Sequence, residues 1–124
     1  MTIIEFLEAR IAEDEAVARA ASHQKLAGPF HGNWRHDSLH LSSMEREDAK
    51  HIARHDPARV LAECAAKRAI IKQWDDVTLE DGVRDERDDI DEIHSGLIIA
   101  LRDVIKALAA VYSSHPDYRQ EWAL

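Results

Sequence analysis

A single cysteine, Cys64, excludes an internal disulfide. No apolar run approaches the roughly 18 residues that a membrane-spanning helix needs. Glycine occurs four times and never as a phosphate-cradling loop. No nucleophile elbow is present, and no serine stands beside a histidine in a catalytic context. Internal repeats are missing as well. The first residues, Met-Thr-Ile-Ile-Glu-Phe-Leu-Glu, carry acid where a signal peptide carries base. Together these shortages predict a cytoplasmic protein without a membrane span. Its 124 residues form one domain, large enough to build a core without metal or disulfide.

A basic surface is also lacking, and the reason is local. Ten acids stand against two arginines between Asp75 and Glu92, which accounts for the whole net charge of −8. The remaining residues are electrically balanced. Direct nucleic-acid binding, which needs a basic footprint, is disfavoured. The acidic stretch either complements a helix dipole and keeps the chain soluble, or docks a basic protein partner. In the second case Asp85, Glu86, Asp88 and Asp89 are the partner-binding candidates. A calcium loop is excluded, because the spaced ligands and central glycine are missing. Paired acids on one helix face also occur in magnesium-dependent all-α nucleotide pyrophosphohydrolases, but the facing helix would supply only Glu63.

What is abundant is helical signal. Thr2 and Glu5 form a capping box ahead of Ile3, Ile4, Phe6, Leu7 and Ile11, with an alanine-rich continuation to about His23. Ser42 and Glu45 form another, opening a short helix through about Arg54. Asp56-Pro57 marks the sharpest boundary: Asp caps, and Pro at the first helical position loses no hydrogen bond. Val60, Leu61, Cys64, Ala65, Ile71 and Trp74 then share a face to about Asp75, with Arg68 interrupting the stripe. A loop is expected over 76–84, where Asp81-Gly82 is a turn signal.

The longest element is expected from about Asp85 to Tyr112. Ile90, Leu97, Val104 and Val111 recur every seven residues, and His94, Leu101 and Leu108 repeat in parallel. Such a helix would be about 42 Å long, against roughly 30 Å for a small domain. Its stripe must be covered by another long helix or by a partner chain, so a homodimer is expected. Ser113 to Asp117 breaks the helix, and Tyr118 and Trp122 suit one closing turn. Residues 28–43 are the least helical; Phe30, Trp34, Leu39 and Leu41 could build a short hairpin. The predicted fold class is mainly all-α, an elongated bundle of three to four helices with that β-hairpin.

His51 and His55 are four residues apart, so both imidazoles leave one helix face at a spacing that can bind a divalent metal such as zinc. Asp56 would be a third ligand or would orient an imidazole. Ile52 stands where a zinc peptidase needs its glutamate, which excludes that class. The ordinary alternative is two surface histidines near a helix C-terminus, with no metal at all. His94, within an apolar seam, reads as a structural histidine, and His115 before Pro116 as a turn residue.

Three blocks carry a resemblance: Ile3 to Glu15, His51-Ile-Ala-Arg-His-Asp-Pro-Ala-Arg-Val-Leu61, and His115-Pro-Asp-Tyr-Arg-Gln-Glu-Trp122. Together they look like an uncharacterised family of small proteins from actinobacteria and their phages and prophages, a domain of unknown function. The resemblance implies a phage- or prophage-associated cytoplasmic protein and no assigned activity. Relatives carry cysteines between the central and closing blocks that look like a metal-binding insert. Here the acidic stretch stands in that interval, so a zinc role is not carried over. The function expected is a non-enzymatic interaction module binding a protein partner, for example a host factor. The alternative is a metal-binding or metal-dependent enzyme at His51, His55 and Asp56.

Overall fold

Reciprocal hydrogen bonds start the first helix of this computed structural model, which describes residues 1–22, 46–83 and 92–124. The Thr2 amide donates to Glu5 Oε2 at 2.6 Å and the Glu5 amide donates to Thr2 Oγ1 at 3.2 Å. Two amides that a helix start would leave unpaired are thereby satisfied. Helix α1 runs Ile3–Ser22, α2 Arg46–Arg54, α3 Pro57–Val83 and α4 Glu92–Ala110, and a 3-10 turn closes the chain at Gln120–Trp122. There is no strand among the described residues, and the fold is all-α. The hairpin expected over 28–43 and the cap expected at Ser42 to Glu45 lie outside the described residues.

The junction of α2 and α3 follows its sequence closely. The His55 amide donates to the carbonyls of His51 and Ile52, closing α2. The Arg59 amide donates to Asp56 Oδ1 at 2.9 Å, while Val60 donates to the Asp56 carbonyl at 3.0 Å. Arg59 then ties the corner together, donating to the Arg54 carbonyl and to Glu63 Oε1.

Helix α3 does not end near Asp75. It continues through Asp81-Gly82 to Val83. The Thr78 hydroxyl donates back to the Trp74 carbonyl at 2.8 Å, and Lys72 pairs with Asp76 one turn on. Trp74, Val77 and Thr78, all half-buried, prolong the apolar face of Ile71 past the end expected near Asp75. Helix α4 ends at Ala110, two residues short of Tyr112, because Tyr112 and Ser113 tighten into turns on Ala109 and Ala110. Its expected start at Asp85 lies outside the described residues.

The chain divides into two compact units, one of residues 1–10 with 67–124 and one of residues 11–66. In the second, Ile11, Ala18, Ala49 and Cys64 are buried, and the Cys64 thiol points at the Ile11 carbonyl 4.0 Å away. In the first, Phe6, Leu7, Ile71, Ile105, Ala109 and Trp122 form the core.

Candidate functional site

Phe6 is fully buried, and four rings surround it in the first unit. Tyr112, His115, Tyr118 and Trp122 have their centroids 6.3, 5.8, 6.1 and 5.0 Å from the Phe6 centroid. Most of these approaches are edge-on, the geometry the ring quadrupoles favour. Arg10, one turn after Phe6, is buried with its guanidinium 5.4 Å from the Phe6 centroid. Its Nη1 donates to His115 Nδ1 at 2.8 Å, also reaches Nε2, and lies 3.7 Å from Asp117 Oδ2. The Asp117 amide donates to the same Nδ1 at 3.1 Å. Lys67 donates to the Tyr112 hydroxyl at 2.9 Å, and Lys106 to the Ala123 carbonyl at 3.1 Å. The first and last of the three quoted blocks therefore meet in space, around Phe6. This cluster holds the C-terminal segment against the first helix.

His51 and His55 come together as their spacing requires, with ring centroids 4.7 Å apart and both side chains exposed. Asp56 does not complete a ligand set, because its carboxylate caps α3. Among the described residues no group of three or more His, Cys, Asp or Glu side chains is placed to share a metal ion. Lys50 and Arg54 lie beside His51 around a cleft that also touches Glu47. A second cleft, of about 300 Å³, is lined by Val17, Ala18, Ala21, Pro57 and Val60 with Asp14 and His55. His94 is buried in the first unit. Asp85, Glu86, Asp88 and Asp89 lie outside the described residues.

Among the described residues, electrostatics perturb one group. Glu5 is held below the ordinary carboxylate value, first by the hydrogen bond from the Thr2 backbone and then by that from the Thr2 hydroxyl.

Among the described residues, α4 carries a run of exposed apolar side chains. Its buried face is centred on His94, Ile105 and Ala109. Roughly a quarter-turn or more around the helix, by the 100° step per residue, a second stripe faces outward. Ile93 is 80 % exposed, Leu97 45 %, Val104 40 % and Val111, the first residue past the end of α4, 68 %, and Ala100 and Ala107 between them are exposed too. The intervals in this series alternate between four and three residues, the spacing of a coiled-coil seam. Sequence periodicity picked out Leu97, Val104 and Val111 but not the alanines between them. Only burial separates this seam from the parallel one on the core side.

These features define an all-α protein whose C-terminal segment is locked onto its first helix and whose fourth helix has two apolar faces. All of it, residues 1–124, matches a family described as "Family of unknown function (DUF6221)", and the chain belongs to that family. No curated protein and no solved structure matches it.

Proposed function

We propose that this chain is a protein-interaction module that docks a second copy of itself through the outward seam of α4. The observation that carries this reading is the four-three spacing of Ile93, Leu97, Ala100, Val104, Ala107 and Val111 on an exposed face. A helix serving only its own core needs one apolar face, and α4 has that face elsewhere. An additional seam at coiled-coil spacing is the pattern of a helix that another helix covers. Alanines at alternate positions let the second helix approach closely. The acidic residues Asp85, Glu86, Asp88 and Asp89, adjoining α4 in sequence, offer a second contact to a basic protein. A cytoplasmic setting suits the buried, unoxidised Cys64. A phage or prophage association, with a host factor as further partner, extends the reading through the resemblance alone.

Sedimentation equilibrium tests it. The wild-type chain is expected to show a reversible dimer. Val104→Asp places a charge in the seam and should cost at least about 3 kcal/mol over two copies, a hundredfold or more in Kd. Helical circular dichroism should be retained, because Val104 is partly exposed in the single chain. A wild-type chain that stays monomeric at every concentration would remove the proposal.

The 4.7 Å approach of the His51 and His55 rings favours a second reading, a two-histidine metal site on α2. Zinc titration should then raise the melting temperature of the wild type, and His51→Ala with His55→Ala should abolish the rise. Equal responses in both proteins would exclude it. The neighbouring Lys50 and Arg54 oppose a cation there, which is why the seam is preferred.

A further inference from the structure

Resting on the reading of α4 as a self-docking face, we infer that the two copies pair with their α4 helices antiparallel. The seam residues fall into two classes by size. One coiled-coil position is filled by Leu97, Val104 and Val111, and the other by Ile93, Ala100 and Ala107. In a parallel pair each residue faces its own copy. Leu97 would then meet Leu97 and Val104 meet Val104, while Ala100 and Ala107 met only each other's equivalents. Wide and empty layers would alternate along one interface, and no single helix separation satisfies both. In an antiparallel pair the two positions face one another. Leu97 then packs on Ala107, Val104 on Ala100, and Val111 on Ile93, so every layer joins partners of complementary size or closes an end of the seam.

Charge gives an independent argument in the same direction. The acidic stretch ends at Glu92, the first residue of α4, and carries the whole net charge of −8. Residues 101–124 hold three acids and three bases and are neutral. A parallel pair brings the two copies of Glu92, where the acidic run joins α4 in sequence, together at one end. An antiparallel pair sets them at opposite ends of a helix about 28 Å long by its rise per residue. That separation exceeds the Debye length of about 8 Å at physiological ionic strength, so their repulsion is screened.

Site-directed cross-linking decides the orientation. In a Cys64→Ala background, Ile93→Cys and Val111→Cys are prepared separately, and each is confirmed as a folded dimer by sedimentation. Mild oxidation of the mixture should yield a disulfide-linked dimer, and oxidation of either variant alone should not. Cross-linking of each variant with itself, and its loss in the mixed species, would mean a parallel pair and overturn the inference. Salt dependence of wild-type dimerisation supplies a readout without substitutions. Between about 0.05 M and about 0.5 M salt the antiparallel dimer should keep or lose affinity, whereas a parallel one should tighten severalfold as repulsion is screened. A monomer throughout would overturn the self-docking reading and the orientation with it. A dimer that cross-links in the parallel pattern leaves self-docking standing and sinks the orientation alone.

Discussion

Arg10 shows how much a single residue can organise. It lies one turn beyond Phe6 on the buried face of α1, so its guanidinium emerges among rings and meets His115 and Asp117. Its methylenes pack while Nη1 reaches His115. Arg10→Ala removes the stack and leaves the His115 acceptor nitrogen short of a charged donor, at a cost of about 2 kcal/mol. Chemical denaturation with tryptophan fluorescence reads that loss through Trp122; an unchanged midpoint would show the cluster to be incidental. The sequence did contain a signal for it, an arginine at position four after Phe6 and directly before Ile11. A charged residue within an apolar stripe does not, however, disclose its partners. Those sit more than a hundred residues away. Glu5 acts differently, being local and exposed. Because its folded value is lowered, its contribution is complete above the ordinary carboxylate range, near pH 4, and is lost as pH falls through the folded value. The difference in melting temperature between wild type and Glu5→Ala should therefore be largest near neutrality and shrink steadily below about pH 4. A difference that persisted in acid would argue that Glu5 acts through packing or helix propensity instead.

Among the elements, those governed by their own boundary residues behaved as their sequences require. The Thr2–Glu5 box and the Asp56-Pro57 start depend on bonds spanning three residues, so neighbours alone decide them. Asp56→Ala should cost about 1 kcal/mol by releasing the Arg59 amide, measurable as a lower denaturation midpoint. Retention of the wild-type midpoint would mean that Pro57 and the Arg59 contacts hold the corner unaided. Helix α3 departs from its local signal for an equally physical reason. Val77 and Thr78 are half-buried along the face of Ile71 and Trp74, which carries the helix past Asp75, and a glycine inside a helix costs only about 1 kcal/mol relative to alanine. Turn propensity is a weak term wherever an apolar stripe runs past it. The His51–His55 pair is likewise an element-level feature: spacing brings the rings together, but Asp56 is already committed to capping.

At the scale of the whole molecule, the proposed self-association through α4 would couple stability to concentration. Binding that occurs only between folded chains raises the melting temperature as protein concentration rises. The Val104→Asp chain should melt at one temperature throughout, and the wild type should not. What the sequence by itself determined is the class of fold, the two helix starts and the seven-residue recurrence on the fourth helix, because each is written in residues a few positions apart. Which of that helix's two stripes faces the core was decided only by tertiary packing. The stripe containing His94, Ile105 and Ala109 was buried, and the one containing Leu97, Val104 and Val111 was left outward. The meeting of Phe6 and Arg10 with His115, Tyr118 and Trp122 was decided in the same way. Periodicity fixes angles around a helix axis, but the neighbour that covers a given angle is chosen by long-range burial, which no short window of sequence contains.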